Sequence, residues 1–103
     1  MCADIPDMLI ENNIISDNGG RAIHPYGSQN IWIVGNTCYQ NGWDTEFLRP
    51  QTQCEIGGYA ASEPLGNIHI LNNIVYARDG VQITYFPDDM TSGQVEMLSL
   101  IHI

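Results

Sequence analysis

One phrase is written three times along this chain, an apolar alternation that runs into an asparagine-bearing turn. It reads NIWIVGNTCY from Asn30 to Tyr39, NIHILNNIVY from Asn67 to Tyr76 and, in a worn copy, DMLIENNIIS from Asp7 to Ser16. Laid on one another, the copies superimpose Asn13, Asn36 and Asn73 at offsets of 23 and 37 residues. The same register puts Ile10, Ile33 and Ile70 in one column, and Ile15, Cys38 and Val75 in another. A second phrase follows it, GRAIHPYGSQN from Gly20 to Asn30 against GGYAASEPLGN from Gly57 to Asn67, and a third copy opens at Gly80. Self-similarity at a period in the twenties marks stacked units, because one unit cannot bury its apolar side without neighbours above and below.

Within each unit the side chains alternate with the period of two that marks a strand. Ile31 and Ile33 face one way, Trp32 and Val34 the other; Gly35-Asn36 turns the chain, and Cys38 faces inward between Thr37 and Tyr39. A third short strand is expected at Ala22-Ile23-His24, Tyr59-Ala60-Ala61 and Gln82-Ile83-Thr84. Since the copies superimpose in parallel, strands must pair unit over unit and not as hairpins. The expected core is Met8, Ile10, Ile15, Ile23, Ile31, Ile33, Cys38, Ile68, Ile70, Val75 and Ile83. Asparagine suits the bend because it tolerates left-handed backbone better than other residues with a side chain. Identical amides stacked one above another also hydrogen-bond along the stack. Asn13, Asn36 and Asn73 therefore read as a structural ladder.

The repeated N-I-x-I-x-G/N-N-x-x-Y with a glycine after it resembles the right-handed parallel β-helix of pectate-lyase-like proteins, over about Asp7 to Phe86. That resemblance implies an all-β solenoid of about three turns. Proteins of this kind include polysaccharide lyases, pectin hydrolases, uronan epimerases, phage tailspikes and repeat proteins of no known activity. Two functions stay open on this basis. One is a piece of a secreted carbohydrate-active enzyme acting on acidic or pectin-like polysaccharide by lyase or hydrolase chemistry. The other is a non-catalytic scaffold, adhesin or fibre-like segment that binds carbohydrate. Both imply an extracellular or cell-surface setting, and further turns of a longer chain as the nearest partner.

Unequal offsets locate an insertion. With Gly20 matched to Gly57, the 14 extra residues of the second unit fall at Trp43 to Ile56, as a corner loop protruding from the regular stack. Beyond Phe86 the register stops, so residues 87–103 read as an irregular tail. Its closing LSLIHI is either a hydrophobic capping strand or non-native read-through.

Charge narrows the partners. Three arginines, no lysine and twelve carboxylates give a formal net charge of −9. Nucleic acid and anionic membrane surfaces both need a basic face that this composition lacks. No stretch approaches the ~20 apolar residues of a membrane span. The three cysteines, Cys2, Cys38 and Cys54, are odd in number and lack C-x-x-C spacing, which disfavours a disulfide framework or zinc site.

In the enzymes that the chain resembles, sugar lies across the strand after the long corner loops. Here that strand carries His24 as a candidate general acid or base, with Arg21 at its edge. Tyr59 and Trp43 are candidate stacking platforms for a pyranose ring, and Gln82 is a polar contact on the same face. Arg49 offers a planar fork to a sugar carboxylate. Asp44, Glu46 and Glu55 are candidate oxygen ligands for Ca²⁺, or equally solvated loop carboxylates.

Overall fold

The strands pair at the offsets that the repeated phrase sets. The protein is seen here as a computed structural model, which describes residues 2–3, 7–27, 29–46, 48, 52–58, 66–86, 95–98 and 101–102. These form β1 (Cys2–Ala3), β2 (Met8–Glu11), β3 (Ile14–Ser16), β4 (Pro25–Tyr26), β5 (Gln29–Val34), β6 (Thr37–Tyr39), β7 (Cys54–Gly57), β8 (Gly66–Leu71), β9 (Ile74–Tyr76), β10 (Gln82–Tyr85), β11 (Val95–Leu98) and β12 (Ile101–His102). No α-helix occurs among the described residues. One sheet runs β2-β5-β8-β11 and a second β3-β6-β9-β12, while β7 pairs with β10 and β1 with β4. Every pairing is parallel. The protein is thus all-β with parallel sheets.

Column by column, Ile10 lies beside Ile33 and Ile33 beside Ile70, while Ile15, Cys38 and Val75 line up in the neighbouring sheet. Ile31, Ile33, Cys38, Ile56, Ile68, Ile70 and Val75 are wholly buried, and Ile23 nearly so. Burying an isoleucine side chain stabilises the fold by roughly 1.5–3 kcal/mol, so this interior is the main source of cohesion. Met8, Ile10, Ile15 and Ile83 are only half-buried. They stand on β2, β3 and β10, each of which has a neighbouring strand on one side only among the described residues.

The corners work differently from the sequence expectation. Left-handed backbone falls on Asn12, Gly35 and Asn72, at φ 56°, 65° and 55°, one residue before each ladder asparagine. The bend and the ladder are thus separate tasks on adjacent residues. A second corner repeats the device, with Asp17 and Gln40 at φ 55° and 54° preceding Asn18 and Asn41.

The third strand corrects the glycine-based alignment. Ile23 bridges to Ile56, and Thr84 lies beside Ile56, so the buried strand of the second unit is Cys54–Gly57. The strand expected at 59–61 lies outside the described residues. Ile23 follows Asn18 by five residues and Ile56 follows Asn41 by fifteen, which leaves ten extra residues between Gly42 and Cys54. Ile68 follows Ile56 by twelve where Ile31 follows Ile23 by eight, which puts the other four after β7. The loop expected at Trp43 to Ile56 therefore ends before Cys54. Core burial selects the inward isoleucine, whereas the shared glycine spacing is coincidental.

The tail also differs from expectation. Val95 lies beside Ile68 and Ile101 beside Ile74, so β11 and β12 extend both large sheets at a new offset of 27 residues. The sequence has Leu100 where that offset calls for the ladder asparagine, which hides the phrase. At the other end β1 extends the strand pairing ahead of Asp7, through contacts with β4.

Candidate functional site

Arg21 and His24 are placed by the backbone around Ile23. The N–H groups of Ala22 and Ile23 donate to the Glu55 carbonyl at 2.8 and 3.2 Å, and Gly57 N–H donates to the Ile23 carbonyl at 3.1 Å. With Ile23 drawn into the core, its two flanking polar residues meet at the surface. Arg21 Nη1 lies 2.9 Å from His24 Nε2. A guanidinium cannot accept, so Nε2 must, which assigns a neutral imidazole with its proton on Nδ1. Arg21 Nε donates to the Thr52 carbonyl and to Cys54 Sγ, both at 3.1 Å. Burial, then the Arg21 charge, lowers the His24 pKa from 6.5 to about 4. The lone pair that a general base would use is engaged by Arg21.

This pair makes stability depend on pH. Because the folded pKa of His24 lies below the unfolded one, the unfolded chain takes the proton first as acid is added. The stabilisation is complete above about pH 6.5 and is lost as pH falls towards about 4. Allowing for the partial exposure of His24, the loss should be about 1–2 kcal/mol. His24→Gln keeps an acceptor for Arg21 and cannot protonate. Its melting temperature should fall less than that of the wild type between pH 7 and 4, and equal slopes for the two proteins would overturn the assignment.

The three carboxylates proposed for Ca²⁺ do not form a site. Glu55 is wholly buried on β7. One carboxylate oxygen accepts from Asn41 N–H at 2.6 Å and the other from Asn41 Nδ2 at 2.8 Å. Burial raises its pKa, against the pull of the Asn41 hydrogen bonds and the Arg78 charge. Asp44 Oδ1 caps the Glu46 N–H at 2.8 Å in a local turn, and Glu46 points outward. Among the described residues no group of three His, Cys, Asp or Glu side chains could hold a metal ion. Cys38 and Cys54 are free and buried, their thiols pushed up by burial to about 12 and about 11, so neither is poised as a nucleophile.

Trp43 is exposed, with the Arg78 guanidinium carbon 5.4 Å from its ring centroid, and Arg78 also pairs with Asp17 at 2.9 Å. Gln82 is exposed at the start of β10. Tyr59 and Arg49 lie outside the described residues. The structure brings the Arg21 and His24 side chains together. Glu55 adjoins them through its backbone while its carboxylate turns to Asn41, and Gln82 pairs beside Cys54, whose sulfur Arg21 contacts.

Amides occupy two corners as ladders. Asn13 Nδ2 donates to Asn36 Oδ1 at 3.0 Å, and Asn36 Nδ2 to Asn73 Oδ1 at 3.1 Å. At the second corner Asn18 Nδ2 donates to Asn41 Oδ1 at 2.9 Å, and Asn41 continues to Glu55. Glu55 thus ends a second ladder that the sequence reading missed. Its signal was the Asn-Gly pair at Asn18-Gly19 and Asn41-Gly42, spaced by the same 23 residues. In the third unit Arg78 occupies the corresponding position, 37 residues after Asn41, and cannot accept.

Outward columns carry rings. Trp32 stacks on His69 with centroids 3.9 Å apart and planes 16° from parallel. Tyr39 stacks on Tyr76 at 4.9 Å and 26°. Both pairs follow the repeat register, which sets Tyr76 beside Tyr39 and His69 beside Trp32. Beside Trp32 an open depression of about 340 Å³ is lined by Asp7, Met8, Leu9, Asn30 and Trp32. No protein-family model matches the chain, and no curated protein or solved structure matches it.

Proposed function

We propose that this chain is a section of a right-handed parallel β-helix of the pectate-lyase-like kind that binds polysaccharide outside the cell or at its surface. The observation carrying this reading is a pair of outward ring stacks on two neighbouring sheets, exposed Trp32 on half-buried His69 and exposed Tyr39 on half-buried Tyr76. Aromatic faces pack against the apolar faces of pyranose rings, and a rigid strand holds them at fixed spacing. The parallel register and the amide ladders support the β-helix part of the reading. Binding is favoured over catalysis because His24 is neutral and held by Arg21, and Glu55 is interior.

Retention on a panel of insoluble polysaccharides tests it. The wild type should be retained by at least one, and Tyr39→Ala with Tyr76→Ala should weaken retention several-fold without loss of fold. Absence of retention on every member would remove the binding reading. Release of unsaturated or reducing ends would instead favour the catalytic reading, for which the Arg21–His24 contact is the available machinery.

A further inference from the structure

We propose that the depression beside Trp32 is a subsite for one uncharged pyranose unit, and that it discriminates against uronates. The inference rests on the polysaccharide-binding reading and specifies its ligand at one place. At about 340 Å³ the depression is near the lower end of small-ligand sites, roughly 300–1,000 Å³. Trp32 supplies the platform. The strand register sets Leu9, Trp32 and His69 side by side on β2, β5 and β8. His69 stacks on the indole at 3.9 Å, and Leu9, 57% exposed, is its register neighbour on the other side and lines the depression. The indole is therefore braced before any ligand arrives, which lowers the ordering cost of binding.

The rim supplies hydrogen-bonding groups of both kinds. Asn30 Oδ1 accepts from Asn67 Nδ2 at 2.9 Å, so the other side of its amide is a donor, Nδ2. Asp7 provides carboxylate acceptors. A donor and an acceptor flanking an aromatic face match the alternating hydroxyls of a neutral sugar. A uronate carboxylate would face Asp7, and none of the described residues lining the depression is cationic. Arg21 is engaged at Thr52, Cys54 and His24, and Arg78 at Asp17 and Trp43. Like charges in one small site oppose binding, and the net charge of −9 adds to the repulsion.

The two indole N–H resonances of Trp32 and Trp43, told apart by Trp32→Ala, report occupancy directly. The full chain would be titrated with cellotetraose, mannotetraose and tetragalacturonate at one ionic strength. A neutral tetrasaccharide should move the Trp32 signal, and Trp32→Ala should weaken its binding roughly tenfold while Trp32→Phe retains part. Asp7→Asn should narrow the gap between neutral and uronate ligands. Tighter binding of tetragalacturonate at Trp32 would overturn the ligand class. Neutral binding that is unchanged in Trp32→Ala would overturn the subsite while leaving polysaccharide binding intact. Failure of every saccharide, soluble or insoluble, to bind would overturn both.

Discussion

Gly42→Ala should cost about 4 kcal/mol or more and lower the melting temperature by about 15–25 °C. Gly42 holds φ at +70°, and a β-carbon there would fall onto the carbonyl of Cys54, with the Cys54 nitrogen and carbonyl carbon each 2.9 Å away. The obstruction is backbone, so no rotamer change relieves it. Gly42 N–H also donates to the carbonyls of Asn18 and Gly20 at 3.0 and 2.8 Å, which ties this corner to the same corner of the preceding unit. Opening this corner would pull β7 from the core and with it Ile56 and Glu55. Gly80→Ala is the internal control. Gly80 is also left-handed, at φ +81°, yet nothing lies within 4 Å of the added carbon. It should therefore cost only the backbone term, about 1–2 kcal/mol. Comparable losses in the two variants, measured by thermal and urea unfolding, would show that the Gly42–Cys54 approach is not what excludes a side chain.

Asn36→Ala should destabilise by about 3–4 kcal/mol. Asn36 is buried at the middle of the first ladder, where its side chain takes part in four hydrogen bonds. Its Oδ1 accepts from the N–H and Nδ2 of Asn13, and its Nδ2 donates to the Ile10 carbonyl and to Asn73 Oδ1. Truncation leaves several polar groups unmatched in a place water reaches poorly, at about 1–3 kcal/mol for each one wholly buried. Asn36→Asp preserves shape and loses the donor, so two acceptors would face the new carboxylate oxygen, and it should be no better tolerated. Asn13→Ala, on the exposed outer unit, should cost nearer 1 kcal/mol. An Asn36→Ala variant as mild as Asn13→Ala would mean that the ladder follows from the stack and does little to hold it.

Much of the interior was legible in the chain, because alternation and repeat offset both act locally. Period-two patterning chose Ile31, Ile33, Ile68 and Ile70 as inward residues, and the superimposed copies chose their neighbours across sheets. The tyrosine stack and the first amide column follow from the same arithmetic. Tertiary structure alone decided where that arithmetic fails. Between Gly42 and Ile68 the unit is longer than its neighbours, and only core contact shows that Ile56, not Ala60, is the counterpart of Ile23. Glu55 looked like a loop carboxylate because it closes a stretch, from Trp43 onward, that carries no repeat register. Once β7 enters the core, its side chain is left facing Asn41, whose N–H and amide require acceptors. The candidate site divides in the same way. Arg21 and His24 are three residues apart in sequence, but the hydrogen bond that holds His24 neutral depends on Ile23 being pulled inward between them. Trp32 and His69, set 37 residues apart by the repeat, become a braced platform only when parallel pairing lays one ring on the other. Sequence determines which way each side chain points along its own strand, since backbone geometry sets that alternation. What each side chain meets is decided by loop length and by the total burial of the stack, and neither is a local property of the chain.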